Sequence, residues 1–186
     1  MFTTYCFKNA FINEQGIEED AFKKALHKTS FSWSKDKSSK VMLFNGFSYG
    51  DELRTLEVSS WVSKVAVLGF VRDHLVYQQR ILSQLVSVVM DGRDIGTVVF
   101  PDADFKFFLI ADAEVRAKRR YDELKAKGEE VVLEDILKNV IDRDHQDSTR
   151  LISPLKKAED ALEIDTTNVS IETTLVLMFS TINSKY

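Results

Sequence analysis

The sequence predicts an α/β fold built on a parallel sheet, and two patterns indicate it. Short, uninterrupted apolar runs occupy residues 86–90 and 105–111, and such runs are typical of strands buried on both faces of a parallel sheet. Segments with apolar residues at three- and four-residue spacing lie around them, as in amphipathic helices. Strands alternating with helices indicate the α/β class.

The first fifty residues are predicted to form two helices and a small antiparallel insert. The helices cover 1–12 and 18–28, and residues 13–16 break the pattern between them. The insert covers 29–50. Its β-rich runs, 29–34 and 41–44, flank the polar loop SKDKSSK and precede the tight-turn dipeptide Asn45-Gly46.

Helices and strands are then expected to alternate to the end of the chain. From Asp51 a helical pattern continues to an interruption at Gly69. Gly128 is a suitable residue to end a helix. The predicted elements that follow are a helix at 71–85, strands at 86–90 and 105–111, helices at 113–127 and 133–147, a strand at 162–165, and a terminal helix from about Ser170.

Composition describes an ordinary globular domain. The chain has 186 residues, 44% of them hydrophobic and 29% charged, which predicts one domain with a real core. A net charge of −4 does not favour non-specific nucleic-acid binding. One cysteine, Cys6, fits a reducing cytoplasm and a buried apolar role. No membrane span or signal peptide is evident, so we expect a cytoplasmic protein with neither membrane nor nucleic acid as partner.

The strongest candidate site is the segment Asp91-Gly92-Arg93-Asp94 directly after the predicted strand at 86–90. Ligands of open α/β sheets bind beyond the carboxyl ends of strands. Glycines permit tight turns, which would let Arg93 and Asp94 face a ligand. The alternative is a loop held together by an Arg–Asp pair.

Two further arginine groups lie on predicted helices. Arg143, Asp147 and Arg150 share one helix face at i, i+4, i+7. They either clamp a phosphate through planar guanidinium forks or form a solvated salt-bridged face. Arg116, Arg119 and Arg120 also lie on one helix, most simply as an exposed basic face. The three histidines show no spacing typical of metal ligands: His27, His74 and His145.

One expected phosphate-binding motif is absent from the sequence. GxxxxGK[ST] cradles nucleotide phosphates with backbone N–H groups and a lysine. None of the seven glycines is followed by lysine.

The chain nevertheless resembles the bacterial cytidylate kinase family, with the flavour of Bacteroidetes enzymes. The likeness is carried by VVMDGRDIGTVVFPDADFKFFLIADAEVRAKRRYDELKAKG, by DRDHQDSTRLISPLKKAEDALEIDTT and by the upstream ELRTLEVSSWVSKVAVLGFVRDHLVYQQR. It implies a P-loop nucleoside-monophosphate-kinase fold: a five-stranded parallel sheet flanked by helices, with a three-stranded antiparallel insert at 29–50. It also implies a monomer that converts ATP and CMP or dCMP to ADP and CDP or dCDP, with Mg²⁺.

The resemblance assigns roles on the substrate side to four residues. Arg93 and Asp94 would contact the cytosine or sugar of CMP, and Arg72 its phosphate region. Asp91 resembles the aspartate that orders waters around the magnesium ion.

The resemblance also assigns roles to residues of the two arginine-bearing helices. Arg143 and Arg150 would neutralise the transferring phosphoryl group, and Asp147 would hold the sugar hydroxyls or orient these arginines. Arg116 and Arg120 would meet ATP from a lid formed by about residues 116–150.

Relative to this family, the first strand, the P-loop and the helix after it are missing before Met1. The missing strand is expected in the middle of the sheet, so its loss would leave neighbouring strands without hydrogen-bond partners. The polar link expected before DGRD is replaced by ILSQLVSVVM. We therefore expect a kinase whose 186 residues alone are inactive because the start is internal. The alternatives are a non-catalytic CMP-binding or partner-binding remnant, or an unstable product without function.

Overall fold

The computed structural model describes residues 1–9, 11–13, 16–36, 41–54, 56–66 and 68–185. These residues divide into two compact units, Met1–Val89 and Met90–Tyr186. The prediction of a single domain, with an insert at 29–50 and a lid near 116–150, stays a prediction. Among the described residues, no helix combines the length and apolar character needed to cross a bilayer.

The Met1–Val89 unit is mainly helical and carries two short antiparallel hairpins. The first hairpin, at residues 12–17, was not predicted and follows a helix that ends earlier than residue 12. The second confirms the antiparallel character of the predicted insert, with Phe31 opposite Phe44 and Trp33 opposite Met42. Its elements are α1 (Phe2–Lys8), β1 (Ile12–Asn13), β2 (Gly16–Ile17), α2 (Glu19–Leu26), β3 (Phe31–Trp33), β4 (Met42–Phe44), a 3-10 turn (Asp51–Arg54), α3 (Leu56–Ala66) and α4 (Gly69–Ser83).

The expected three-stranded insert has only two strands among the described residues. Beyond β4, a single antiparallel bridge joins Phe44 to Phe47 across the turn at Asn45-Gly46. This turn leaves no length for a third strand. Residues 37–40 of the predicted loop, and residues 14 and 15 of the predicted break after α1, lie outside the described residues.

An aromatic cluster forms the core of this unit. Phe22 and Phe44 are fully buried. The Phe44 ring meets four other rings edge to face, the arrangement that aromatic pairs prefer. These four belong to Phe2, Tyr5, Phe31 and Tyr49, with centroid separations of 4.9 to 6.5 Å.

Cys6 belongs to the same core, which confirms its predicted buried role. Its side chain is fully buried, and burial raises the pKa of the Cys6 thiol to about 12, partly opposed by the nearby amino terminus. The thiol therefore stays protonated and unreactive near neutral pH.

The Met90–Tyr186 unit confirms a parallel α/β arrangement, but with two strands rather than five. Strands β5 and β6 pair in parallel, with Phe107 opposite Leu162 and Ile110 opposite Asp165. Two helices connect them, as parallel pairing requires. The elements are a π-helical turn (Ile95–Val99), β5 (Phe107–Ile110), α5 (Ala113–Ala126), α6 (Leu133–Thr149), β6 (Leu162–Asp165) and α7 (Ile171–Asn183).

The predicted strand at residues 86–90 is wrong. These residues have no regular secondary structure, and Val89 is fully exposed. A buried strand needs hydrogen-bonding neighbours on either side. In the described part of the chain, none of the three sheets places a strand beside residues 86–90.

Local signals at the helix ends of this unit were read correctly. Gly128 adopts a left-handed φ of 81°, and its N–H donates to Lys125 O while Glu129 N–H donates to Leu124 O. This pair of bonds is the Schellman motif, which satisfies the last carbonyls of α5. Ser170 caps α7 by accepting from Thr173 N–H.

We expect Phe44→Ala to lower the free energy of unfolding by about 3–5 kcal/mol, because it removes a fully buried ring and leaves a cavity. Phe47→Ala is the matched control, since Phe47 lies in the same turn but is 69% exposed. Both tryptophans, Trp33 and Trp61, belong to this unit, so urea unfolding followed by tryptophan fluorescence reports on it. Equal losses in the two variants would contradict a core centred on Phe44.

Candidate functional site

The predicted arginine groups converge on the carboxylate of Asp147. Arg93 Nε donates to Asp147 Oδ2 at 2.7 Å. Arg143 Nε lies 3.9 Å from the same oxygen, and Arg150 Nη1 lies 3.8 Å from Oδ1. We call these four residues, Arg93, Arg143, Asp147 and Arg150, the arginine cluster. It joins two candidate sites that the sequence left separate.

Helix α6 presents three members of the arginine cluster because their spacing keeps them on one face. The helix ends at Thr149, and the chain then folds back so that Leu155 N–H donates to Asp147 O at 2.7 Å. Arg150 Nε donates to Ser153 O at 2.6 Å. Ser153 holds a left-handed φ of 51°, so the loop accepts a strained residue where it receives Arg150.

Burial within the arginine cluster is uneven. The Asp147 side chain is 10% exposed and that of Arg150 14%, whereas Arg93 and Arg143 are about half exposed. Arg143 and Arg150 stand at ion-pair distance rather than hydrogen-bond distance from Asp147. The carboxylate therefore does not use up their guanidinium donors.

The charge of the arginine cluster suits a phosphate monoester. Its three guanidinium groups and one carboxylate leave a net charge of about +2 at neutral pH. A phosphate monoester carries about −1.5 to −2 at pH 7. Planar guanidinium groups also bind phosphate oxygens in pairs.

The segment that carries Arg93 is shaped by a π-helical turn that the sequence reading missed. Val98 N–H and Val99 N–H both donate to Asp94 O. The Asp94 side chain is buried, whereas Asp91 is exposed. A Cβ at Gly96 would lie 3.3 Å from Lys106 Cδ, so this glycine permits close packing rather than a positive φ.

Lys106 braces this segment from below. Its Nζ donates to Pro101 O and to both carboxylate oxygens of Asp160, at 2.8 and 2.7 Å. The Lys106 side chain is almost fully buried, so its charge needs that partner. The brace ties the loop before β5 to the loop before β6.

The arginines of α5 are each engaged within this unit. Arg116 donates to Ala111 O and forms a bidentate pair with Asp144, which raises the pKa of Arg116. Arg119 donates to Thr166 O at 2.5 Å, at the end of β6. Arg120 pairs with Glu123 on its own helix at 2.8 Å.

The remaining predicted residues do not join the arginine cluster in the described structure. Arg72 lies on α4 in the Met1–Val89 unit, where it is partly buried and makes interactions of its own. Within the described ranges, no group of three or more His, Cys, Asp or Glu side chains is arranged to hold a metal ion. Asp91 alone therefore does not make a magnesium site.

Sequence reasoning missed Asp144, Lys106 and Asp160. Asp144 stands inside the RDxxDxxR stretch, yet its partner Arg116 lies 28 residues away, so no local spacing could reveal the pair. Lys106 was an isolated lysine in an apolar run, and that position was the only signal. A charged residue inside an otherwise apolar run predicts a buried partner.

Comparison with known proteins agrees with the resemblance. The family model described as Cytidylate kinase matches residues 2–184. A cytidylate kinase of Bacteroides fragilis is 47% identical over 171 residues, covering 91% of this chain and 75% of the relative. A cytidylate kinase of Flavobacterium johnsoniae is 43% identical over 181 residues, covering 96% and 79%, and one of Thermosipho melanesiensis is 41% identical over 182 residues, covering 97% and 82%.

We expect Asp147→Asn to lower the free energy of unfolding by about 1–3 kcal/mol, because it leaves three guanidinium groups without their shared carboxylate. Asp122→Asn is the control, since Asp122 pairs with Lys118 on an exposed helix face. Unfolding followed by circular dichroism at 222 nm includes the α5–α7 helices. Added inorganic phosphate should restore stability to the Asp147→Asn variant. An unchanged midpoint without phosphate would contradict the shared role of Asp147.

We expect the Glu123 carboxyl to titrate near pH 2. Hydrogen bonds from Lys127 and then Arg120 lower the pKa of Glu123 to about 2. Because the folded-state pKa is lowered, the stabilisation is present above the ordinary value of about 4.3 and is lost as the pH falls from there toward 2. NMR titration of the side-chain carboxyl measures this. Arg120→Gln should raise this pKa, whereas Arg119→Gln should not; a Glu123 pKa near 4 in the unaltered chain would refute the pairing.

Proposed function

This chain belongs to the cytidylate kinase family, and from that premise we propose that it serves transfer of the γ-phosphoryl group of ATP to CMP or dCMP. The products are ADP and CDP or dCDP. Family membership supports a kinase of pyrimidine nucleotide metabolism. The arginine cluster is the observation that supports a nucleotide phosphate as ligand of this chain.

Charge neutralisation is the role that we assign to Arg143 and Arg150. Phosphoryl transfer needs little covalent chemistry from a protein and depends on alignment and electrostatic stabilisation. Both arginines keep donors that Asp147 does not use. A phosphate dianion placed between them would meet two planar forks, while Asp147 holds the arginines apart and in orientation.

Recognition of the nucleoside is the role that we assign to Arg93 and Asp94. The Arg93–Asp147 hydrogen bond brings this loop to α6, so a nucleotide whose phosphate meets Arg143 and Arg150 would have its sugar and base near the loop. Arg72, by resemblance, would also meet the CMP phosphate. The ATP side, with Arg116 and Arg120 in a lid, rests on the resemblance alone.

Magnesium and ATP remain the expected cofactors of the family. When bound, magnesium neutralises charge on the nucleotide phosphates. The described residues offer Asp91 and no carboxylate group around it that fits a metal. No step of the proposal is therefore placed on the ion.

A second candidate function follows from one sequence observation. The chain contains no GxxxxGK[ST] motif, on which P-loop kinases depend to hold ATP phosphates. A protein that binds CMP through the arginine cluster without transferring phosphate would fit this absence. The two functions share the CMP site and differ in turnover.

We expect the chain to bind CMP and to bind cytidine more weakly, because the arginine cluster recognises the phosphate. Arg150→Ala should reduce CMP affinity about 10- to 100-fold, since a hydrogen bond to a charged group contributes roughly 1.5–3 kcal/mol. Lys118→Ala, on the exposed face of α5, should leave affinity unchanged. Isothermal titration calorimetry measures both, and unaltered CMP binding by Arg150→Ala would overturn the site.

A coupled assay for ADP formation from ATP and CMP separates the two functions. It is run on the chain as given and on a form extended through the upstream reading frame. Turnover in either form supports the kinase, and turnover in the given form alone would refute a need for the P-loop motif. CMP binding without turnover in both forms favours the binding protein.

A further inference from the structure

Arg116 spends its whole guanidinium group inside the Met90–Tyr186 unit. Its Nε donates to Ala111 O at 2.9 Å. Its Nη1 and Nη2 donate to the two carboxylate oxygens of Asp144, at 2.8 and 2.6 Å. One side chain therefore connects three elements: the residue after β5, the first turn of α5, and α6.

The bidentate pair fixes the rotation of α6 about its own axis. A planar fork that meets both oxygens of a carboxylate constrains direction as well as distance. The tips of helical side chains lie roughly 6 Å from the axis, so a rotation of about 20° would displace them by about 2 Å. Asp144 stands between Arg143 and Asp147, so its attachment sets the direction of both neighbours.

The pair also separates two carboxylates of like charge. Asp144 and Asp147 lie three residues apart on α6, at neighbouring positions of the helix surface. Arg116 holds the first, and Arg93 holds the second at 2.7 Å. With Asp144 occupied, only Asp147 is left to organise the arginine cluster.

We propose that Arg116 and Asp144 are positioning residues for the phosphate-binding arginine cluster, acting by holding α6 against the carboxyl end of β5. The consequence for CMP rests on the proposed function, whereas the geometric role does not. The assignment differs from the lid role toward ATP that resemblance gives Arg116. In the positioning role Arg116 touches no substrate and acts through Asp144.

A simple stabilising ion pair would have different consequences. The side chains of Arg116 and Asp144 are more than a third exposed, and pairs of this kind contribute at most about 1 kcal/mol. Loss of stability alone is therefore a poor readout. The useful readouts are the geometry of the arginine cluster and the recognition of phosphate.

The first experiment needs no ligand. In the unaltered full chain, the Nε–H groups of Arg93 and Arg150 are hydrogen-bonded, and their ¹⁵N–¹H NMR signals should be shifted and protected from exchange. In Asp144→Asn we expect the Arg93 Nε–H signal to lose its protection while circular dichroism stays unchanged. Asp122→Asn, which breaks an exposed pair on α5, should alter neither arginine signal. Persistence of the Arg93 signal in Asp144→Asn would overturn the proposal.

The second experiment measures recognition. We expect Asp144→Asn and Arg116→Lys each to weaken CMP binding about tenfold and to leave cytidine binding unchanged. The double variant should lose no more than either single variant, because the two residues act as one unit. Equal losses for CMP and cytidine would overturn the positioning role and indicate general destabilisation.

Failure of the proposed function is distinguishable from failure of this inference. If the unaltered chain binds no CMP, the proposed function falls. The Arg93 signal in Asp144→Asn then still decides the positioning role. Arg116→Lys keeps the charge and loses the fork, so it supplies a second variant if Asp144→Asn does not fold.

Discussion

The hydrogen bond from Arg93 to Asp147 joins segments 54 residues apart, and the candidate site depends on it. Without it, the loop after residue 90 and the carboxyl-terminal turn of α6 would be separate charged surfaces. With it, three arginines share one nearly buried carboxylate. A carboxylate in such a position costs desolvation free energy and is stable only because cations surround it. The same cations are then held ready for an anion.

The charges of this unit fall into two kinds of arrangement. Lys106, Arg116 and Arg119 bind carbonyls or carboxylates close to the ends of β5 and β6 and hold the loops there. The arginines of the cluster instead meet a single carboxylate at mixed distances. The first kind builds a frame, and the second leaves donors for a ligand. Phosphate recognition needs both, because misplacement by about 1 Å can lower a reaction rate about a hundredfold.

Membership of the cytidylate kinase family and the absence of a P-loop motif in the sequence constrain the function in opposite directions. The arginine cluster can serve the acceptor nucleotide by itself, because guanidinium forks suffice for a phosphate monoester. The donor nucleotide needs a nest of backbone N–H groups that arginines do not replace. Binding of CMP and transfer of phosphate are therefore separable properties of this chain.

The sequence by itself determined the family, the α/β class of the second unit, most helix positions and the placing of Arg143, Asp147 and Arg150 on one helix face. These are local properties, because helical periodicity, capping and turn residues act within a few positions of the chain. Tertiary structure alone decided that Arg93 meets Asp147, that Arg116 meets Asp144, and that residues 86–90 form no strand. Apolar character suits a strand, but a strand forms only where neighbouring backbones offer hydrogen bonds, and a charge selects its partner only after distant segments have packed.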